Sequence, residues 1–272
     1  MLNQGLKRLQ PVLGDDAATD TRVLLAYALD VDRGLLAARS DDLVSAEQSA
    51  IFQDAIECRY RRQPVAQIIG VREFWGRNFI VTPDVLNPRP DTETLIEEVL
   101  KAGPAISLLD LGTGSGCILL TLLAEWPQAK GLGVDMSPKA IDIAQKNADA
   151  LGLTARASLK QSNWFSNVTG QFDLIVSNPP YITADAMQTV APEVRDWEPR
   201  MALTPEGDGL EAYRMIAQNA ADYLLANGRM FLEIGYDQAK SALQIFSDNG
   251  YSDGFCIQDM AGKDRVICVK KA

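Results

Sequence analysis

The sequence contains no histidine, only four cysteines and few aromatic residues (7%). Without an imidazole there is no Ser-His-Asp or Cys-His nucleophile, no HExxH zinc site and no histidine general base, because each needs that ring. Cys58, Cys117, Cys256 and Cys268 form no CxxC pair. With no secretory leader, this predicts reduced thiols in a cytoplasmic protein and no metal. No apolar run approaches the ~18 residues of a membrane span, since Asp110 and Glu125 interrupt the longest hydrophobic stretches. Basic charge is also in deficit, with 26 Lys+Arg against 36 Asp+Glu and a net charge of -10. That balance argues against passive adhesion to nucleic acid, where Lys and Arg must displace phosphate counterions.

What is present is apolar material, 47% of 272 residues, enough for a sizeable core in one or two domains. Residues 1–80 carry 10 basic and 11 acidic side chains and residues 81–272 carry 16 and 25, so the acidity lies in the second part. Arg59, Arg61 and Arg62 form the one basic cluster; it reads as a solvated helix end, with partner docking as the alternative.

The first 62 residues read as helices without strands. Asp20 is expected to cap a segment with Val23, Leu24, Tyr27 and Ala28 at helical spacing. Ser45 and Gln48 suggest a capping box for a helix that buries Ile51, Phe52, Ala55 and Ile56 and stops at Gln63, before Pro64. From Val65 to Val81 a short hairpin is expected, turning at Trp75-Gly76. After the Pro-rich stretch 83–90, Asp91 or Thr92 can cap a helix with Leu95, Ile96, Val99 and Leu100 on one face.

Beyond Gly103 the rhythm becomes strand, turn, helix. Strands are expected at 106–111, 131–135, 155–159, 172–177 and 229–234, with helices over 115–125, 138–151 and 209–225 and a final strand pair across Gly262-Lys263. The inference is a parallel α/β sheet. There is no internal repeat and no low-complexity segment.

Two motifs carry chemistry. Gly112-Thr113-Gly114-Ser115-Gly116 follows a buried strand and opens a helix, so a ligand can approach bare backbone. It is not a P-loop, and its third glycine falls one position early for a dinucleotide fingerprint. Asp135, ending the next strand, can accept hydrogen bonds from both hydroxyls of a ribose. Loop and acid suit S-adenosylmethionine (SAM); another nucleotide, or a merely tight turn, stays open at this point. The second motif, Asn178-Pro179-Pro180-Tyr181, ends an apolar strand. Two prolines stiffen it and remove two donors, leaving the Asn178 side-chain oxygen and the Pro179 carbonyl as acceptors for an NH2 group. Tyr181 offers a flat face for a planar amide or base.

Together these motifs resemble the SAM-dependent methyltransferases of planar amino groups. Gly70 to Gly76, Phe79-Ile80-Val81, Pro88-Arg89-Pro90-Asp91-Thr92-Glu93, Glu198-Pro199, Ala202-Leu203, Gly207-Asp208-Gly209-Leu210 and Tyr213-Arg214 narrow the resemblance to the HemK/PrmC family. These are the release factor glutamine methyltransferases, and the resemblance covers essentially the whole chain. It implies a Rossmann-like SAM-dependent methyltransferase sheet (91–272), a small helical N-terminal domain that docks the substrate (1–63), and a β-hairpin and Pro-rich linker (64–90). It further implies methylation of the Gly-Gly-Gln glutamine of class I peptide chain release factors. From the acidic charge and the absence of a spanning apolar run, no nucleic-acid or membrane binding is expected, and the protein is expected to be a monomer.

By the same resemblance, Gly112 to Gly116, Asp135, Trp164 and Asn178 hold SAM. Asn178, Pro179, Pro180 and Tyr181 hold the glutamine. Residues 70–93 then form a structural linker from which Arg89 and Thr92 can reach the site. Asn87 replaces a usual aliphatic residue, which predicts looser packing. Asn163 stands where the family often has Asp, leaving the adenine contacts open. A nucleic-acid amino methyltransferase, a ribosomal protein glutamine methyltransferase and a non-catalytic SAM-binding scaffold are the competing readings.

Overall fold

The structure, a computed structural model, describes residues 1–39 and 42–271. It divides into two compact units, Met1–Val71 with Ala191–Trp197, and Arg72–Val190 with the chain from Glu198 onward.

The first unit is helical: α1 (Leu2–Leu13), α2 (Asp16–Leu29), α3 (Ala46–Tyr60) and α4 (Val65–Ile69). Leu9, Leu24, Leu25, Phe52, Ala55 and Ile56 form its core. Gly5 lets α1 close on it, because a Cβ there would meet Phe52 and Thr21 at 2.8 Å. Ser45 and Gln48 form the expected capping box on α3.

Three expectations are corrected in this unit. Helix α2 begins before Asp20, which therefore caps nothing; its carboxylate accepts from Arg59 Nε at 2.7 Å. Residues 65–69 are a helical turn rather than hairpin, because Pro64 has a φ suited to starting another helix; α3 itself ends at Tyr60, before the expected Gln63, with Arg62 in the left-handed region. The basic cluster is not a solvated helix end. Arg59 is buried and also donates to Glu193 Oε1 at 3.3 Å, while Arg62 donates to the same oxygen at 2.8 Å and to the Val12 carbonyl at 2.5 Å. Arg61 alone keeps its guanidinium largely in solvent.

The second unit opens, from Arg72, within the hairpin formed by β1 (Val71–Phe74) and β2 (Arg77–Ile80). Its turn residues Trp75 and Gly76 both have positive φ, the geometry that two-residue hairpins favour. Helix α5 (Glu93–Lys101) follows. Thr92 is its N-cap residue but makes no capping hydrogen bond; its hydroxyl is engaged elsewhere. The α/β portion then runs β3 (Ser107–Leu111), α6 (Cys117–Glu125), β4 (Lys130–Asp135), α7 (Pro138–Ala150), β5 (Ala157–Gln161), β6 (Phe172–Ser177), α8 (Glu211–Asn219), β7 (Leu224–Glu233), α9 (Ala239–Asp248), β8 (Tyr251–Gln258) and β9 (Asp264–Lys271).

Among the described residues the sheet has seven strands in the order β5-β4-β3-β6-β7-β9-β8. Strands β3 to β7 pair in parallel, and β9 and β8 are antiparallel. Successive residues point to opposite faces. Leu108, Leu174 and Val176 thus enter one core with Phe74, Ile96 and Leu119, whereas Leu109, Ile175 and Met230 enter the other with Tyr213 and Phe246. Apolar burial on both faces explains the unbroken hydrophobic runs of these strands. The order reverses between β3 and β6, and ligands of open α/β sheets bind at the carboxyl end of such a switch point. No helix among the described residues is long and apolar enough to cross a membrane.

Candidate active site

Leu111 and Ser177 are paired across β3 and β6, and Ser177 Oγ donates to the Leu111 carbonyl at 2.6 Å. The next residue on each strand is Gly112 and Asn178, so both sequence motifs start from neighbouring strand ends. They open onto one cavity of about 610 Å³. Gly112, Thr113, Gly114, Ser115, Asp135, Trp164, Asn178 and Pro180 line it. Gly116, Pro179 and Tyr181 do not. Gly116 turns the chain into α6 at φ 81° and packs against Leu120, and Pro179 is buried. Tyr181 packs against the core, with its hydroxyl 3.4 Å from Glu233 Oε1. The flat face expected of Tyr181 is therefore not part of the cavity wall.

The glycine loop is held from several sides. Gly112 and Thr113 both donate to the Val134 carbonyl at 2.9 Å. Gly114 N–H donates to Asp135 Oδ2 at 2.9 Å. Behind the loop, the buried Asn147 donates to the Ser115 carbonyl and exchanges two hydrogen bonds with Ile80 of β2. Gly112 and Gly114 have φ of 71° and 55°, and a Cβ on Gly112 would meet no atom within 4 Å. Bare backbone in the left-handed region thus faces open space, which fits the close approach of a ligand.

Asp135 accepts from Ser137 N on its other oxygen at 2.9 Å. Burial raises its pKa, and these N–H donors only partly offset that. A carboxylate has about four acceptor sites, so two hydrogen bonds leave room for ligand hydroxyls. Trp164 enters the cavity wall from a tight loop at φ 50°, where Ser162 Oγ donates to its carbonyl at 2.7 Å. Loop, acid and aromatic wall together fit the amino-acid, ribose and base portions of SAM.

On the acceptor side, Asn178 Nδ2 donates to Thr92 Oγ1 at 3.2 Å. This leaves Oδ1 available to the cavity. No backbone donor among the described residues bonds the Pro179 carbonyl. Arg89 also lines the cavity, donating from Nη2 to both oxygens of Glu198 at 2.8 Å. Asn87 is buried and donates to Glu198 Oε1 at 2.9 Å, so instead of loosening the packing it helps hold the carboxylate that holds Arg89.

Two buried carboxyl groups escaped the sequence reading. Asp110, beneath the glycine loop, accepts from Thr113 Oγ1 at 2.6 Å and is pushed up to about 7 chiefly by burial. Glu233, ending β7, is likewise pushed up to about 7 by burial. Each has one oxygen without a partner. A charged residue at the carboxyl end of an otherwise apolar strand was the available signal.

Known proteins resemble the chain over nearly its whole length. Residues 1–70 match the PrmC N-terminal domain and residues 89–208 the Methyltransferase small domain. A release factor glutamine methyltransferase from Cereibacter sphaeroides is 47% identical, with 99% of this chain and 96% of the relative covered. The chain belongs to the release factor glutamine methyltransferase family. A second member, from Caulobacter vibrioides, is 43% identical over 96% of this chain and 91% of its own. A solved methyltransferase from Pyrococcus furiosus shares the fold at 18% identity and a TM-score of 0.56, covering 81% of this chain and 98% of its own. The expected Rossmann-like methyltransferase fold is thereby established.

Proposed function

We propose that this enzyme transfers a methyl group from SAM to the side-chain amide nitrogen of the Gly-Gly-Gln glutamine in class I release factors. Support comes from family membership and above all from one observation. Asn178, its Nδ2 committed to Thr92, offers an acceptor oxygen to the cavity that also contains the glycine loop and Asp135.

SAM, when bound, supplies an electrophilic methyl group on a sulfonium. An amide nitrogen is a poor nucleophile because its lone pair is delocalised into the carbonyl, the resonance behind a rotation barrier of ~18–20 kcal/mol. The chain's task is therefore positioning. Asn178 Oδ1 accepts one N–H of the glutamine from the cavity wall, and the second acceptor is assigned to the Pro179 carbonyl, which does not itself line the cavity but which no backbone donor among the described residues occupies. Together they aim the lone pair across the cavity and stabilise positive charge developing on nitrogen. The stiff Pro179-Pro180 backbone keeps the acceptors in place without reorganisation. No strong base is needed, because an N-protonated, N-methylated amide loses its proton readily to water. A chain without histidine is equipped for this reaction.

The net charge of -10 disfavours a nucleic acid as the substrate. Incubation with labelled SAM and either a class I release factor or bulk nucleic acid tests the reading. One added methyl on the Gly-Gly-Gln peptide by mass spectrometry is expected, and label in nucleic acid alone would overturn it.

A further inference from the structure

Arg89 lines the cavity, yet the reaction as described does not use it. It stands on the acceptor side. The Arg89 carbonyl accepts from Thr92 N–H at 3.1 Å across a single helical turn, and Thr92 Oγ1 in turn receives Asn178 Nδ2. Burial raises the pKa of the Tyr181 hydroxyl, and the positive charge of Arg89 is among the influences that oppose it, which again puts the guanidinium near the acceptor turn.

A guanidinium carries five N–H donors in a rigid planar fork. Nη2 donates to both oxygens of Glu198 at 2.8 Å. The Nε hydrogen and both on Nη1 have no partner among the described residues. The Glu198 side chain is 1% exposed and that of Arg89 35%, so the carboxylate is sealed while the guanidinium stays accessible. Asn87 secures the carboxylate in turn. It is buried, leaves its Oδ1 without a partner and makes its one side-chain hydrogen bond to Glu198 Oε1. A buried polar atom left unsatisfied is costly, and the grip on Glu198 is what offsets that cost.

We propose that Arg89, held by Glu198 and Asn87, binds the main chain of the substrate, donating from Nε and Nη1 to backbone carbonyl oxygens of the Gly-Gly-Gln tip. The inference rests on the proposed function. Two glycines present no side chain, so main-chain groups are what an enzyme can grasp in them. Paired with Glu198, Arg89 forms a neutral unit that offers N–H dipoles rather than net charge. A neutral carbonyl oxygen suits such donors, whereas the carboxylate of SAM would also meet the negative charge of Glu198. The glutamine amide oxygen is the wrong target, because a cation there draws the nitrogen lone pair further into the carbonyl and weakens the nucleophile. The backbone carbonyls remain.

The experiment compares wild type, Arg89→Lys, and Arg89→Leu combined with Glu198→Gln. Lysine keeps a charge for Glu198 but loses the fork; the double variant removes both charges, so that no buried carboxylate is left unpaired. Turnover on release factor is measured, together with SAM affinity, the urea midpoint, and release factor binding by calorimetry with S-adenosylhomocysteine present. Both variants are expected to raise KM and the calorimetric Kd for release factor by about tenfold or more. Their kcat should stay within about threefold and their SAM affinity within about twofold, the pattern of lost ground-state binding. Arg89→Lys should keep the wild-type urea midpoint. Unchanged release factor affinity in the double variant overturns the proposal, and so does a loss of SAM affinity as large as the loss of release factor affinity, which would assign Arg89 to the cofactor or to the packing of the site. Wild-type enzyme that binds release factor but methylates none would instead refute the proposed function, while the calorimetric comparison still decides the role of Arg89.

Discussion

Ser177 Oγ donates to the Leu111 carbonyl at 2.6 Å, pinning together the two strand ends from which the glycine loop and the Asn178 turn depart. Adjacent parallel strands lie about 4.8 Å apart. The closeness of donor loop and acceptor turn is therefore a property of the sheet order, β3 beside β6, rather than of flexible side chains.

Asn178→Ala consequently removes an acceptor while leaving the glycine loop on its own strand. Calorimetric SAM affinity should be retained and kcat should fall about 10²–10³-fold, the cost of deleting one preorganised polar contact to a developing charge. An unchanged methylation rate would exclude the acceptor role.

Asp135→Ala acts on the other side. The carboxylate receives Gly114 N–H and Ser137 N–H at 2.9 Å each, so its loss frees the loop tip and, on the proposed reading, removes the acceptors of the ribose hydroxyls. With ~1.5–3 kcal/mol per hydrogen bond to a charged group, SAM affinity should weaken by about tenfold or more. Wild-type affinity in calorimetry would remove Asp135 from the ribose.

The sequence rhythm located the strands of the parallel sheet, because continuous apolar runs and glycine turns are local signals, although β7 begins at Leu224, five residues before the expected start and inside the span expected to be helix. It missed what depends on long-range pairing. Asp20 has the composition of a helix cap, yet it lies inside α2, where it pairs with Arg59, 39 residues away. Asn87 is an outlier by family pattern, and its purpose becomes visible only when Glu198 folds against it. Residues 65–69 alternate too weakly to reveal a helical turn set by Pro64. In the site, the glycine loop, Asp135 and Asn178 were legible as motifs. Thr92 was named as able to reach the site, and its hydrogen bond to Asn178 was not foreseen; Glu233 and Asp110 were not singled out, since their significance is that they are buried carboxyl groups.

The arginine cluster gives a stability prediction. Arg59 serves Asp20 and Glu193 at once with its side chain only 8% exposed. Removing one member of a buried ion network leaves charge unpaired at a cost of ~3 kcal/mol, so Arg59→Ala should lower unfolding free energy by about that amount in urea. Burial raises the pKa of Glu193, but hydrogen bonding and charge from Arg62, then Arg59, outweigh it and hold the group below its ordinary value. Its stabilisation is therefore present above the ordinary carboxylate range and lost as pH falls through the depressed folded pKa. A wild-type urea midpoint for Arg59→Ala would show the cluster to be incidental.

Gly209 and Gly207 make a matched pair. Both have positive φ, but a Cβ at Gly209 would strike the Tyr181 carbonyl, whereas at Gly207 it meets nothing within 4 Å. That carbonyl accepts from Gln238 Nε2 at 3.0 Å, part of the support behind the acceptor turn. Gly209→Ala should cost ~2 kcal/mol or more through strain and displacement of the turn, and kcat should fall. Gly207→Ala should cost ~1 kcal/mol and spare kcat. Equal kinetic losses in the two variants would rule out turn displacement as the cause.

Asp110 and Glu233 make the pH dependence of stability run opposite to that of Glu193. Burial pushes each carboxyl up to about 7, so between the ordinary carboxylate range and neutrality the folded state holds protons that the unfolded state has released. Stability accordingly falls as pH rises through this window, because ∂ΔG/∂pH follows protons bound in the unfolded minus the native state. Between about pH 8 and about pH 5.5 the unfolding free energy should rise by on the order of 2 kcal/mol for each of the two groups, about 4 kcal/mol together. Asp110→Asn, which keeps an acceptor for Thr113 Oγ1 and abolishes the titration, should flatten the slope and raise stability at pH 8. Urea midpoints that do not change across this range would mean that neither group carries the desolvation cost its burial implies.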